Sequence, residues 1–194
     1  MGLDDIVARV LADHRDIQAQ FEAVAEAEVA EWRGLFFVLA ESLVRHEVAE
    51  EKVLYPVVCL EPGGVAIAQA RVAEQSEVLE LISQMEQMAA ESGEFAESFD
   101  LLYAAVLEHA SAEEDFVLPM LQEQEERSLL VEMGRRYLEL KNSAPPSSTR
   151  TFAQLAEAIR DKAPALNRRT LSPKLGSDRQ DDRRVGRSAG ALLA

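Results

Sequence analysis

The sequence predicts an all-α protein: an up-down-up-down four-helix bundle with an extra C-terminal helical segment and a disordered basic tail. Three observations predict it. Four long segments repeat apolar residues in alternating steps of three and four, the mark of one buried helix face. Short turn signals separate them, and short loops between long helices force antiparallel neighbours. Ala, Leu, Val, Glu and Gln dominate while aromatics are only 6%, which favours helix over strand.

The first stripe reads Leu3, Val7, Val10, His14, Ile17, Phe21 and Val24, and predicts a helix from about Leu3 to Ala27. The second reads Trp32, Phe36, Leu39, Leu43, His46, Glu50, Val53 and Val57. Its helix runs from about Val29 to Tyr55, stopped by Pro56. Glu61-Pro62-Gly63-Gly64 is a turn. The third stripe reads Val65, Ala68, Val72, Gln75, Val78, Ile82, Met85 and Ala89, a helix to about Ala90 that Ser92-Gly93 breaks. The fourth reads Phe95, Phe99, Leu102, Val106, His109, Glu113, Phe116 and Met120, a helix from Glu94 to about Leu118 ended by Pro119. A fifth segment, about Leu121 to Lys141, carries a smaller apolar face of Val131, Tyr137, Leu138 and Leu140.

The composition changes after Lys141. Asn142-Ser143-Ala144-Pro145-Pro146-Ser147-Ser148 reads as a linker. Thr151 with Gln154 forms a capping-box pattern, and Phe152, Leu155 and Ile159 predict a short helix to about Lys162. Beyond Pro164 the chain is rich in Arg, Ser and Asp and has few apolar anchors, the composition of a disordered tail. The organisation expected is a bundle domain over 1–141, followed by linker, short helix and tail over 142–194.

Charge divides the chain in the same place. The whole carries a formal −15, but residues 1–140 hold 9 Lys+Arg against 30 Asp+Glu. Residues 141–194 hold 11 against 5. The acidic bundle is unsuited to nucleic acid and attracts cations. The basic tail suits an anionic partner, nucleic acid included, or its own acidic domain, although a solvated tail is the simplest reading. The single cysteine, Cys59, reads as a buried thiol and allows no intramolecular disulfide. The start, Met1-Gly2-Leu3-Asp4-Asp5, lacks the basic region and apolar run of a signal peptide, and no stretch reaches the ~18 apolar residues of a membrane span. A cytoplasmic location is therefore expected.

Each stripe is interrupted by a polar side chain where Leu or Val belongs. All three histidines, His14, His46 and His109, lie on stripes, and two are followed four residues later by a glutamate, Glu50 and Glu113. Counted from the turns at about 1.5 Å per residue, His14, His46, Glu50, Gln75 and His109 share one level of the bundle within about a turn. Unpaired carboxylates and imidazoles in a core lose hydration, and the carboxylates repel each other. A metal cation is the natural compensation. Mixed His/carboxylate sites in a bundle suit iron or manganese, whereas a structural zinc site more often uses cysteine.

Asp13-His14, then His46-Glu47-Val48-Ala49-Glu50-Glu51 with Leu54-Tyr55-Pro56, then His109-Ala110-Ser111-Ala112-Glu113-Glu114 with Leu118-Pro119, resemble the hemerythrin-like, HHE cation-binding family in order, spacing and trailing prolines. The resemblance covers about residues 1–140. It implies a four-helix bundle holding two non-haem irons bridged by oxygen and two carboxylates, in a protein that meets O2, peroxide or nitric oxide, or senses iron. By resemblance His14, His46, Glu50, His109 and Glu113 are metal ligands, with Glu50 and Glu113 bridging. The third-helix ligand departs from the family: Glu74-Gln75 stands where the family has Glu-His. Gln75 could offer its amide oxygen or hold a metal-bound water, and Glu74 or Tyr55 could fill the gap. Glu47, Glu51 and Glu114 read as solvated face. No separate acid–base residue is visible, so catalytic residues are not assigned, although peroxide consumption is compatible with such a centre. The rival reading is a degenerate member, with a mononuclear or absent site, acting as an interaction module through its basic tail.

Overall fold

The computed structural model describes residues 5–146 and 150–162. Leu3 and the basic tail beyond Pro164, on which two of the expectations above fall, lie outside the described residues. Among those described, regular structure is helical throughout: α1 (Ile6–Glu26), α2 (Val29–Val53), α3 (Tyr55–Val58), α4 (Gly64–Met85), α5 (Gly93–Ala112), a π-helical turn (Glu113–Val117), α6 (Leu118–Gln124), α7 (Arg127–Lys141) and α8 (Phe152–Arg160).

Local chemistry sets several helix starts. The Asp5 carboxylate accepts from the Ala8 N–H at 2.9 Å and caps α1. Ser92 does the same for α5 through the Phe95 N–H. The Thr151/Gln154 capping box forms in full at the start of α8. Only Ala27 and Glu28 separate α1 from α2, so the two must run antiparallel. Contacts of α1 with α2, α2 with α4, α4 with α5 and α5 with α1 close the four-helix ring. α7 lies against α1 and α2, and α8 against α2 and α4.

The four stripes form the core. Val7, Val10, Ile17, Phe21, Phe36, Leu39, Leu43, Val78, Ile82, Phe95 and Leu102 are all buried. Each large side chain buried in this way contributes about 1.5–3 kcal/mol. No described helix is long and apolar enough to cross a membrane.

The departures from the expected elements cluster at the prolines. Pro56 does not merely stop α2: the helix ends at Val53, and Pro56 sits in the first turn of the separate α3. Pro119 does not end its helix either. A proline ring there collides with the carbonyl four residues back in a straight α-helix. The chain instead passes through the π-turn, where the Leu118 N–H bonds back to the Glu113 carbonyl, and Pro119 falls in the first turn of α6. The wider turn shifts the buried stripe by one residue. Phe116, expected in the core, is 69% exposed, and Val117, Leu118 and Leu121 are buried in its stead.

Smaller corrections follow the same geometry. The fifth segment is two helices, parted at Glu125-Glu126, and its buried face is Leu130, Met133, Gly134, Tyr137 and Leu140, while Val131 and Leu138 point outward. The third helix ends at Met85 rather than near Ala90, so Ala89 lies past it, and Ala89 and Val65, in the first turn, are both exposed. Cys59 is exposed rather than buried, because it follows the one-turn α3 into the loop.

The α3–α4 turn is tight. Gly63 adopts a left-handed φ of 78°, and a Cβ on Gly64 would stand 1.8 Å from the Val58 carbonyl oxygen. Gly34, inside α2, has nothing within 4 Å of that position. Gly64→Ala should lower stability by about 1–3 kcal/mol through steric overlap with backbone. Gly34→Ala should raise it by about 0.5–1 kcal/mol through helix propensity. Urea unfolding of both variants checks this, and equal effects at the two positions would contradict the α3–α4 packing.

Candidate metal centre

Stripe geometry delivers His14 from α1, His46 and Glu50 from α2, Gln75 from α4 and His109 from α5 to one level of the core, all buried. Glu113 opens the π-turn directly after α5 and is wholly buried. Two groups of ligating atoms result, each lying within 4.8 Å of one another: His14, His46, Glu50 and Glu113, and Glu47, Glu50 and His109. Glu50 belongs to both. Glu113 also reaches both, with Oε2 3.2 Å from His14 Nε2 and Oε1 3.7 Å from His109 Nε2.

The imidazoles share one arrangement. Each turns Nε2 toward the carboxylates and Nδ1 outward to an oxygen. His14 Nδ1 lies 2.8 Å from Glu114 Oε1, His46 Nδ1 2.6 Å from the Tyr137 hydroxyl, and His109 Nδ1 2.9 Å from Glu74 Oε2. Such partners fix the ring and leave a lone pair at Nε2 for a cation.

Tyr55 and Gln75 occupy the α4 side. Nine residues past His46, Tyr55 would face away on a continuous helix. The break before Pro56 turns it inward. Its hydroxyl donates to Glu113 Oε1 and lies 3.3 Å from His109 Nε2. The Gln75 amide N–H donates to Glu50 Oε2 at 2.9 Å and to the Tyr55 hydroxyl at 3.3 Å.

Several inward atoms find no hydrogen-bond partner. His14 Nε2, Glu47 Oε2, Glu50 Oε1 and Glu113 Oε2 are buried and unsatisfied, the close His14–Glu113 approach lacking hydrogen-bond geometry. Leaving one such atom unpaired costs about 1–3 kcal/mol. Four lone pairs converging in one core fit a cation site, and the nitrogen and oxygen donor set fits iron or manganese.

The electrostatics agree. Burial, reinforced by the negative charges of Glu113, Glu47 and Asp13, pushes Glu50 well above the usual carboxylate range. Burial also raises Glu47, partly offset by His109 and His46. Glu113 is buried too, but its contact with His14 and the charge of His109 bring it below the ordinary value. His14 moves the other way: burial works against its charge, and Glu113 and Glu114 more than compensate, raising it. Burial, Glu113 and Glu50 hold the Tyr55 phenol far above its usual value, so it stays a donor at neutral pH.

The structure thus brings His14, His46, Glu50, His109 and Glu113 together, with Tyr55 among them. It places Gln75 beside Glu50 as a hydrogen-bond donor. Glu74 is set behind His109, where it also bonds Arg71. Glu47 and Glu114 correct the expectation of a solvated face. Glu47 is buried with its carboxylate in the second group, and Glu114 holds His14. The spacing of Glu47 three residues before Glu50 carried that signal, since i, i+3 residues share a face. Glu51 does lie outside the cluster, paired with Arg160 of α8.

A cavity of about 260 Å³ reaches the cluster between α1 and α5, with Ile17, Phe21, Tyr103 and Val106 along its apolar side. Compared with known families, residues 5–121 match the model described as Hemerythrin HHE cation binding domain. No curated protein and no solved structure matches the chain.

Glu50 links stability to binding with opposite signs. An acid whose folded value is raised begins to cost stability above its unfolded value, ~4.3, and the cost grows with pH up to the folded value. Glu50→Gln should therefore raise the melting temperature of the metal-free protein at pH 7 by a few degrees, a gain that fades below about pH 4. The same change should remove the upward shift that added cation gives the parent. Calorimetry of both metal-free proteins across pH decides; a variant melting lower at pH 7 would contradict the tension at Glu50.

Proposed function

This chain belongs to the hemerythrin HHE cation-binding family, and on that premise we propose that it holds two non-haem iron ions that meet a small ligand: O2, peroxide or nitric oxide. The observation that carries the reading is the pair of overlapping donor groups, His14/His46/Glu50/Glu113 and Glu47/Glu50/His109, with unsatisfied lone pairs turned toward one another. Glu50, common to both, and Glu113, within reach of His14 and His109, are the carboxylates suited to span two cations. Glu47 and Tyr55 supply oxygen donors on the side where α4 offers Gln75 in place of an imidazole. The Tyr55 hydroxyl is closer to His109 Nε2, at 3.3 Å, than either Glu47 or Glu113, both at 3.7 Å.

Bound iron would supply one-electron chemistry toward such a ligand. The chain's own residues prepare the site. The Gln75 amide holds Glu50 by its outer oxygen and leaves Oε1 free. The Tyr55 hydroxyl holds Glu113 and carries a proton beside the ligand-binding core. Ile17, Phe21 and Val106 give the approach an apolar wall, which suits a small uncharged ligand.

One observation favours the rival reading of a single cation or a vestigial site. Gln75 presents an N–H, not a lone pair, to the cluster. In that case function would pass to the basic tail as an interaction module, and the tail lies outside the described residues.

Metal content per chain, with an ultraviolet–visible spectrum after anaerobic Fe(II) loading and exposure to air, separates the readings. Two irons with near-ultraviolet charge-transfer absorption are expected, followed by peroxide and nitric oxide assays. A featureless, iron-free protein would refute the proposal. Tyr55→Phe should cost one of the two irons about tenfold or more in affinity and spare the other. Unchanged content in that variant would exclude Tyr55 from the donor set.

A further inference from the structure

α7 lies beyond the matched residues 5–121, yet it supplies the partner of a core imidazole. Lys141 Nζ donates to Asp13 Oδ2, and the Tyr137 hydroxyl donates to the same oxygen at 2.6 Å. A phenol has one proton. With that proton committed to Asp13, the Tyr137 oxygen can only accept from His46, whose Nδ1 is 2.6 Å away. The His46 ring must then carry its proton on Nδ1. Its Nε2, 3.4 Å from Glu50 Oε1, keeps the lone pair.

We propose that Tyr137 is a positioning residue for the metal centre: the relay from Lys141 through Asp13 and Tyr137 locks His46 in its Nδ1–H tautomer, so that docking of α7 onto α1 and α2 completes the His14/His46/Glu50/Glu113 site. The proposal rests on the reading of His46 as a ligand. It is carried by geometry that sets His46 apart from the other two imidazoles. Glu114 and Glu74, the partners of His14 and His109, have side chains 43% and 37% exposed. Tyr137 is 1% exposed, shut off from solvent. The two rings also meet edge to face at 85°. Both ends of the relay are fixed to different helices, Asp13 to α1 and Tyr137 with Lys141 to α7. Loss of α7 docking therefore removes the hydroxyl that holds His46 Nδ1 and leaves that nitrogen facing Asp13 Oδ2 of α1 at 3.6 Å, beyond hydrogen-bond reach.

Nitrogen-15 NMR of the histidine rings in the full-length, metal-free chain reads the tautomer directly. The parent should show His46 as a single Nδ1–H form. Tyr137→Phe keeps the ring and its packing but removes the oxygen, and should yield mixed tautomers at His46 alone. Asp13→Ala frees the phenol proton to point at His46 and should give the same mixing, while Asp13→Asn retains an accepting oxygen and should preserve the parent form. These two variants keep the question answerable if Tyr137→Phe fails to fold. An anaerobic Co(II) titration should then show a loss of about 10–100-fold at one ion of the Tyr137→Phe chain and none at the other. An Nε2–H His46 in the parent would overturn the proposal, as would a Tyr137→Phe chain with unchanged tautomer and unchanged affinities. A parent that shows the lock yet takes up no metal would refute the metal reading while supporting the tautomer assignment, so the two failures are distinct.

Discussion

Three glutamates, Glu47, Glu50 and Glu113, share one buried level of a helical core with three imidazoles, and the rest of the molecule is organised around that concentration of donors. Among the described residues, no lysine or arginine side chain is paired with any of the three carboxylates. The close contacts described for these carboxylates are with ring nitrogens, the Tyr55 hydroxyl and the Gln75 amide. Burial, with like charges nearby, raises Glu50 and Glu47, so their ionised forms are incompletely balanced. Side chains such as Phe21, Phe36 and Phe95 must hold together a bundle whose centre resists closure. That tension would favour a bound cation, because a cation is held most strongly where unsatisfied lone pairs already converge.

Two irregularities in the helices do the placing. A straight helix through Pro56 would turn Tyr55 out of the core, and a straight helix through Pro119 would leave Glu113 and Glu114 on one unbroken α-helical spiral. The break after Val53 brings the phenol to Glu113 and Gln75. The four-residue spacing from His109 already sets Glu113 on the core face, and Glu114, inside the π-turn that begins there, meets the outer nitrogen of His14. The cost of that turn is visible in Phe116, which loses its place in the core to Val117. Regular helices set the depth of the site; their interruptions set its composition.

Orientation comes from a second layer of side chains on other helices. Glu114 and Glu74 reach across from the π-turn and α4, and Tyr137 reaches in from α7. Each imidazole is thus held between two elements, which couples the geometry of the donor cluster to the closure of the bundle. α8 adds a further tie from outside, with Arg160 on Glu51 and Phe152 against Phe37, while leaving the donor set untouched.

The sequence by itself determined the bundle and most of the donors. Period and turn chemistry placed four helices, and the polar interruptions His14, His46, Glu50, Gln75 and His109 marked one level of the core, with Glu113 a turn past His109. The capping box at Thr151 was equally legible, because a cap is local. Glu47 was readable from its spacing to Glu50, yet its neighbours in sequence are as charged as it is, and periodicity alone did not separate it from the solvated face. Only the tertiary structure decided the roles of Tyr55, Gln75, Glu74 and Tyr137. Tyr55 and the frame of Val117 depend on how a proline is absorbed, by a break in one helix and a π-turn in another, and both outcomes satisfy the same steric rule. Gln75, Glu74 and Tyr137 depend on which side chains of distant segments come within hydrogen-bond reach. Distances of a few ångströms between residues 91 positions apart, as for His46 and Tyr137, are set by packing of whole helices and leave no trace in the local pattern.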